Sequence, residues 1–131
     1  MKSISRSSIV LLLFIATILS SCGDKVNEPE FEARFIVENA TSIELLVQAK
    51  DGPDFLILEN PRVDAGTRTQ VYSSSEVTQG SVLPSLIFTE FRVFAKVGLK
   101  DSTIYNRVRN NDWVSGTETE EYQELILTID N

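Results

Sequence analysis

The sequence predicts an all-β domain over residues 31–131, folded as a single antiparallel β-sandwich. Short apolar segments mostly alternate with polar residues at a period of two. Breakers rich in Gly, Pro, Asn and Asp separate these segments at regular intervals. About seven or eight short strands in roughly 100 residues suit an immunoglobulin-like Greek-key sandwich. A small open β-barrel is the alternative, and the absence of a cysteine pair excludes a true antibody-type domain.

The first half of this domain contains four predicted strands, at 31–38, 43–49, 55–58 and 69–72. A turn is expected at Asn39-Ala40-Thr41. The strong breaker Asp51-Gly52-Pro53-Asp54 ends the second strand. An irregular piece is expected around Asn60-Pro61 and up to residue 67. Residues 73–84 are rich in Ser and Gly and predict a polar loop.

The second half contains four further predicted strands, at 86–97, 103–108, 113–114 and 122–129. The segment 86–97 gives the clearest strand signal. A helix is a weaker interpretation of it, because its apolar residues do not keep a single stripe of helical period. One of its faces is expected to carry Ile87, Phe91, Val93, Ala95 and Val97. The other face is expected to carry Glu90, Arg92 and Lys96, with Phe88 and Phe94 among them. In the last strand the residues expected to face inward are Leu125, Leu127 and Ile129.

The N-terminus has the layout of a secretory signal. Lys2 and Arg6 precede the uncharged apolar run 9–19, and a small, polar stretch follows it. A helix that spans a bilayer needs about 20 apolar residues, so this run is too short to be a permanent span. The pattern predicts a cleaved signal peptide over residues 1–21.

The residues at the end of this run, Leu19-Ser20-Ser21-Cys22, resemble the lipobox of bacterial lipoprotein precursors, and Cys22 is the only cysteine in the sequence. The resemblance implies cleavage between Ser21 and Cys22 and a diacylglyceryl group on the Cys22 sulfur. Such a protein is anchored to a membrane by its acyl chains, and we expect the outer membrane. The alternative is an ordinary secretory signal and a free protein. Residues 22–30 are polar and include Pro29, which predicts a flexible tether.

Charge and composition exclude several classes of function. Without residues 1–21 the chain keeps ten Lys and Arg against 19 Asp and Glu, a net charge near −9. Nucleic acid requires a basic footprint, so it is not an expected partner. The sequence has no histidine, which removes the usual Ser-His-Asp and Cys-His catalytic arrangements and makes a zinc site improbable. No cofactor, metal or catalytic residue is expected.

Carboxylates and aromatic residues offer weaker candidates for a site. Asp51 and Asp54 could place oxygens at a loop tip for calcium, but turn chemistry explains them better. The acidic segment Glu118, Glu120, Glu121 and Glu124 is typical of a solvated, edge-protecting face. Trp113, the only tryptophan, is either a core residue or a binding-loop residue that contacts a glycan or a protein.

Two short patterns resemble sites of glycan attachment. Asn39-Ala40-Thr41 matches the pattern for N-linked glycans, and we interpret it as a chance turn. Asp101-Ser102-Thr103 resembles an acceptor for the O-linked glycans of some bacterial envelope proteins. We expect this triplet in a loop, where an acceptor is accessible.

These observations lead to one functional hypothesis and two alternatives. We expect a lipid-anchored binding or scaffolding module of the cell envelope that has no catalytic activity and uses its loops to contact a protein or glycan. One alternative is a structural subunit that adds an edge strand to a larger envelope complex. The other is a calcium-dependent or glycan-binding domain, or a small hydrolase, with acidic residues clustered beside Trp113.

Overall fold

The computed structural model describes residues 30–75, 77–80 and 82–131. The predicted signal peptide, the cleavage position Ser21, the lipidation residue Cys22 and residues 23–29 lie outside this part. Sheet A contains β1 (Glu32–Asn39), β4 (Arg68–Ser74), β7 (Trp113–Glu118) and β8 (Tyr122–Ile129) in the order β4-β1-β8-β7. Sheet B contains β2 (Leu45–Lys50), β3 (Leu56–Val63), β5 (Glu90–Val97) and β6 (Lys100–Asn106) in the order β3-β2-β5-β6.

The two sheets pack face to face, which confirms the predicted β-sandwich and not the open barrel. The strands β1 and β4 are neighbours in sheet A, and the strands that follow each of them, β2 and β5, are neighbours in sheet B. The two crossings of the chain from sheet A to sheet B, β1 to β2 and β4 to β5, therefore join two neighbouring strands of one sheet to two neighbouring strands of the other. All pairings are antiparallel except that of β1 with β8, which is parallel.

Most predicted strands are present, with shifted bounds. The last one, Tyr122–Ile129, begins and ends where the alternation predicts. Strand β3 is longer than expected, because it continues through Asn60-Pro61, where an irregular segment was expected. Asn60 adopts a φ of 56°, and the pairing of β2 with β3 changes register opposite it. The strand thus accommodates the proline on the outer edge of its sheet, where no neighbour needs the missing N–H.

The predicted strand 86–97 is wrong in its first part. Residues Pro84–Ile87 form a single helical turn, α1, and β5 begins at Glu90. Proline is favoured in the first helical turn, which explains the start of α1. After the turn Phe88 enters the core and is 1% exposed, 4.9 Å from the Phe35 ring centroid. Strand alternation had placed Phe88 on the outer face.

An aromatic cluster fills the core near α1. Trp113 makes edge-to-face contacts with Phe35 at 5.6 Å and Phe91 at 5.1 Å between ring centroids. Phe88 packs on Phe91 at 5.1 Å. Contacts between rings at such distances contribute about 0.5–1.5 kcal/mol beyond the burial of apolar area. Leu125, Leu127 and Ile129 face inward, as predicted.

The register of the strands defines two ends of the sandwich. At the proximal end β1 begins, with Glu32 opposite Tyr122 and Ala33 opposite Ser74. The β2–β3 turn at 51–55 and α1 lie at this end too, since a small cavity of about 140 Å³ is lined by Asp51, Tyr72, Ser74 and Leu86 among others. At the distal end β1 finishes with Asn39 opposite Ile129.

Candidate functional site

A concavity lies on the outer face of sheet B, towards the distal end. It has a volume of about 660 Å³, which is within the range of ligand sites in proteins. Three strands and two connections form it: the start of β2, the bulged part of β3, the end of β5, the β1–β2 connection and the β5–β6 turn. We call it the distal groove, and its lining residues are Ile43, Glu44, Leu46, Asn60, Arg62, Ala95, Lys96, Val97 and Gly98.

The groove contains more positive than negative charge, on a chain that is acidic overall. Arg62 lies 3.9 Å from Glu44, and both side chains are largely exposed, so this ion pair is weak. No ion pair is recorded for Lys96 within the described residues. One arginine and one lysine are therefore accessible to an anionic group on a ligand.

Exposed apolar side chains surround these charges. Ile43 is 48% exposed and Val97 is 66% exposed. Leu99, which follows Gly98 in a two-residue turn, is fully exposed. Gly98 has a φ of 66°, a conformation that glycine adopts without steric cost, so the turn can be this tight. Clustered apolar residues beside polar groups are typical of contact surfaces for other proteins.

Buried side chains support the floor of the groove. Leu46 and Phe94 face away from the main core, yet they are only 8% and 2% exposed. The guanidinium of Arg92 lies 4.3 Å from the centre of the Phe94 ring. Arg92 is fixed there by a hydrogen bond that its Nε donates to Thr103 Oγ1 at 2.9 Å, and by Asp101 at 3.5 Å. The floor thus rests on buried, packed side chains, whereas the rim is accessible.

A buried asparagine fixes the connection that carries Ile43. The Nδ2 of Asn39 donates hydrogen bonds to the carbonyl oxygens of Ile43 at 2.7 Å and Val63 at 3.0 Å. Its Oδ1 accepts hydrogen bonds from the N–H of Thr41 at 3.0 Å and from Thr41 Oγ1 at 2.6 Å. The side chain therefore joins the end of β1, the β1–β2 connection and the end of β3. Beyond the turn predicted at 39–41, no sequence pattern indicated this role.

The structure places Trp113 in the core, where it is 6% exposed. The hypothesis that it is a binding-loop residue is therefore corrected, since a ring at this position cannot stack on a sugar. Its Nε1 is buried and has no hydrogen-bond acceptor among the described residues. The turn at 110–112 before it is held to α1, because Asn110 Oδ1 accepts the N–H of Ser85 at 2.9 Å.

The candidate carboxylates do not converge on one site. The Asp51–Asp54 turn is held by Thr89, whose Oγ1 accepts the N–H of Gly52 at 2.8 Å. The acidic segment 118–121 surrounds the β7–β8 turn and is exposed, whereas Glu124 accepts the N–H of Thr117 at 3.1 Å. In residues 30–75, 77–80 and 82–131 no group of three or more Cys, Asp or Glu side chains is placed to hold a metal ion.

One cluster of polar side chains was missed by the sequence analysis. The hydroxyl of Tyr105 donates a hydrogen bond to Asp112 Oδ2 at 3.0 Å, and Arg107 Nε donates to the same oxygen at 2.8 Å. Burial, followed by the hydrogen bond to Asp112, raises the pKa of the Tyr105 hydroxyl. The three groups satisfy one another, so the cluster ties the end of β6 to the turn before β7. Tyr105 and Arg107 precede Asp112 by seven and five residues, a spacing that fits no motif.

All four edge strands of the two sheets have irregular pairing. The register changes along β4, β3, β6 and β7 where each pairs with its inner neighbour. In β3 the irregularity includes Pro61. Bulges and prolines at edges are devices that hinder the addition of a strand from another chain.

The two patterns for glycan attachment lie in different environments. Asn39 is fully buried and its amide is engaged, so a glycan on it is incompatible with the fold. Ser102 and Thr103 are exposed in β6, an edge strand, rather than in the loop that was expected.

Across the part of the chain that the structure describes, no helix has the length and apolarity required to span a membrane. No protein-family model, no curated protein and no solved structure matches the chain.

Proposed function

We propose that this protein is a lipid-anchored module of the cell envelope that binds a protein partner through the distal groove and catalyses no reaction. The anchor would be the acylated Cys22, after cleavage behind Ser21, and the outer membrane is the expected location. The support for the anchor is the order of a basic start, an apolar run and Leu19-Ser20-Ser21-Cys22. Two or more acyl chains on one residue suffice for stable membrane attachment.

The observation that carries the binding role is the distal groove. A floor of packed side chains, an apolar rim and two accessible cations favour a partner segment that presents an apolar side chain beside a carboxylate. The other functional alternatives have less support. Irregular edges disfavour strand addition, and the buried Trp113 and the dispersed acids disfavour a glycan site or a hydrolase.

The anchor is tested by Cys22→Ser and cell fractionation. We expect the wild-type protein in the membrane pellet and the variant outside it. Mass spectrometry of the N-terminal peptide should show the acyl chains on Cys22. A processed Cys22→Ser protein that remains in the membrane pellet would contradict the anchor.

The groove is tested by a photoreactive residue at position 97, compared with the same residue at position 114. Val114 is a matched control for Val97, because both residues lie in strands and their side chains are 65% and 66% exposed, respectively. We expect a discrete cross-linked adduct from position 97 in intact cells and none from position 114. Lys96→Glu should weaken the adduct at least fivefold, whereas Lys100→Glu should not. Equal adducts from both positions would refute the groove as the binding surface.

A further inference from the structure

The proximal end presents large apolar side chains that the core does not use. Phe55 at the β2–β3 turn is 67% exposed, and Leu86 in α1 is 71% exposed. Leu83, which precedes α1, is 44% exposed. These residues belong to two separate connections. Hydrogen bonds of Thr89 with Lys50 and Gly52 hold the two connections together.

The start of the folded chain lies at this same end. Strand β1 begins there at Glu32, and nine residues, 22–30, separate the described strands from the proposed lipid. Nine residues span at most about 30 Å when fully extended. The eight residues of β1 lead about 27 Å away from this end. A flexible chain of nine residues has a root-mean-square length of about 15–18 Å, which is shorter than β1, so the proximal end lies on average closer to the anchored membrane than the distal groove does.

We propose that Phe55, Leu83 and Leu86 form a contact with the surface of the lipid bilayer, which orients the domain and directs the distal groove away from the membrane. This inference rests on the proposed lipid anchor. Apolar side chains at loop tips insert readily at the boundary between headgroups and acyl chains. The contact adds to an attachment that the acyl chains already provide.

The charges around these side chains indicate which lipids matter. Asp51 and Asp54 lie in the same turn as Phe55, and Lys50 is paired with Glu90 at 3.2 Å. The turn thus offers no unpaired cation to anionic headgroups. We expect the contact to form on phosphatidylcholine vesicles and to be insensitive to salt, because apolar burial drives it rather than charge.

The test uses the full-length, lipidated protein in phosphatidylcholine vesicles. Acylation consumes Cys22, the only cysteine, so a new thiol is labelled selectively. A fluorophore is attached to Leu86→Cys, and separately to Leu99→Cys as a control that is at least as exposed but lies at the distal end. Spin-labelled lipid then quenches fluorophores that touch the bilayer. We expect quenching at position 86 to exceed that at position 99 at least fivefold.

A second set of variants examines the apolar residues themselves. Phe55→Ser with Leu83→Ser should reduce quenching at position 86 severalfold, whereas Ile104→Ser, on the edge strand β6, should not. Equal quenching at positions 86 and 99, or stronger quenching at 99, overturns the inference. Quenching at position 86 that depends on protein concentration and not on spin-labelled lipid would mean that these side chains contact a second copy of the protein, and this result also overturns the inference. Loss of vesicle flotation refutes the anchor, whereas retained flotation without quenching at 86 refutes only the contact.

Discussion

The hydrogen bonds of Asn39 should make this residue one of the most sensitive polar positions in the domain. Asn39→Ala removes both bonds donated to the Ile43 and Val63 carbonyl groups and both bonds accepted from Thr41. The Ile43 oxygen keeps a bond from Thr41 Oγ1 at 3.1 Å. The Thr41 N–H loses the partner that the structure gives it, in a residue that is 6% exposed.

The expected cost is at least about 3 kcal/mol. A buried N–H without a partner costs about 1–3 kcal/mol, and each of the other lost hydrogen bonds contributes about 0.5–1.5 kcal/mol. This is a large fraction of the roughly 5–15 kcal/mol that a domain of ordinary stability has. Asn39→Asp should cost at least as much at neutral pH, because a carboxylate would then face the two carbonyl oxygens.

Urea denaturation followed by circular dichroism measures this cost. With a slope of about 1.5 kcal/mol per molar urea, a loss of 3 kcal/mol lowers the midpoint by about 2 M. Asn106→Ala, at an exposed position at the end of β6, is the control and should shift the midpoint only slightly. If Asn39→Ala and Asn106→Ala unfold within about 0.3 M of each other, the network does not stabilise the fold as argued.

Three further predictions concern the core, α1 and pH. Trp113→Phe should cost only about 1 kcal/mol, because it removes a buried N–H without an acceptor among the described residues, whereas Trp113→Ala should cost about 3–5 kcal/mol in urea denaturation; equal costs would contradict this. Phe88→Ala should cost about 3–5 kcal/mol and Leu86→Ala less than about 0.5 kcal/mol, and the reverse order would mean that α1 is misplaced. Hydrogen bonds from Arg68 and then Thr128 hold the pKa of Glu38 below its ordinary value of 4.5. The ionised side chain therefore stabilises the folded state above pH 4.5, and this stabilisation is lost as the pH falls through the lower pKa of the folded state. Glu38→Gln should therefore flatten the loss of stability below about pH 4.5, and an unchanged pH profile would refute the contribution.

Alternation of apolar and polar residues was sufficient to predict the sandwich, because each sheet has one buried and one solvated face. For this reason the bounds of strand β8 and its inward-facing residues Leu125, Leu127 and Ile129 were predicted. The pattern failed at Phe88, which belongs to the core although strand alternation places it outside. A helical turn after Pro84 changes the direction of the side chain, and only the space between Phe35, Phe91 and Trp113 shows that an aromatic ring is needed there.

The candidate site could not be predicted from local patterns. The distal groove brings together Ile43, Arg62 and Val97 from three parts of the chain, and their proximity depends on the register of β2 with β3 and β5. The shift at Asn60 helps to set that register, and no propensity scale anticipates it. The Tyr105–Asp112–Arg107 cluster depends likewise on how the end of β6 meets the turn before β7.

The parallel pairing of β1 with β8 also determines when the sandwich can close. Thr128 Oγ1 donates a hydrogen bond to Glu38 Oε2 across a separation of 90 residues. At about 5–20 residues per second, a ribosome needs roughly 5–18 s to add that length. Until then β1 lacks one of its two partners and the centre of sheet A is open. Nascent chains that end before β8 should therefore stay protease-sensitive.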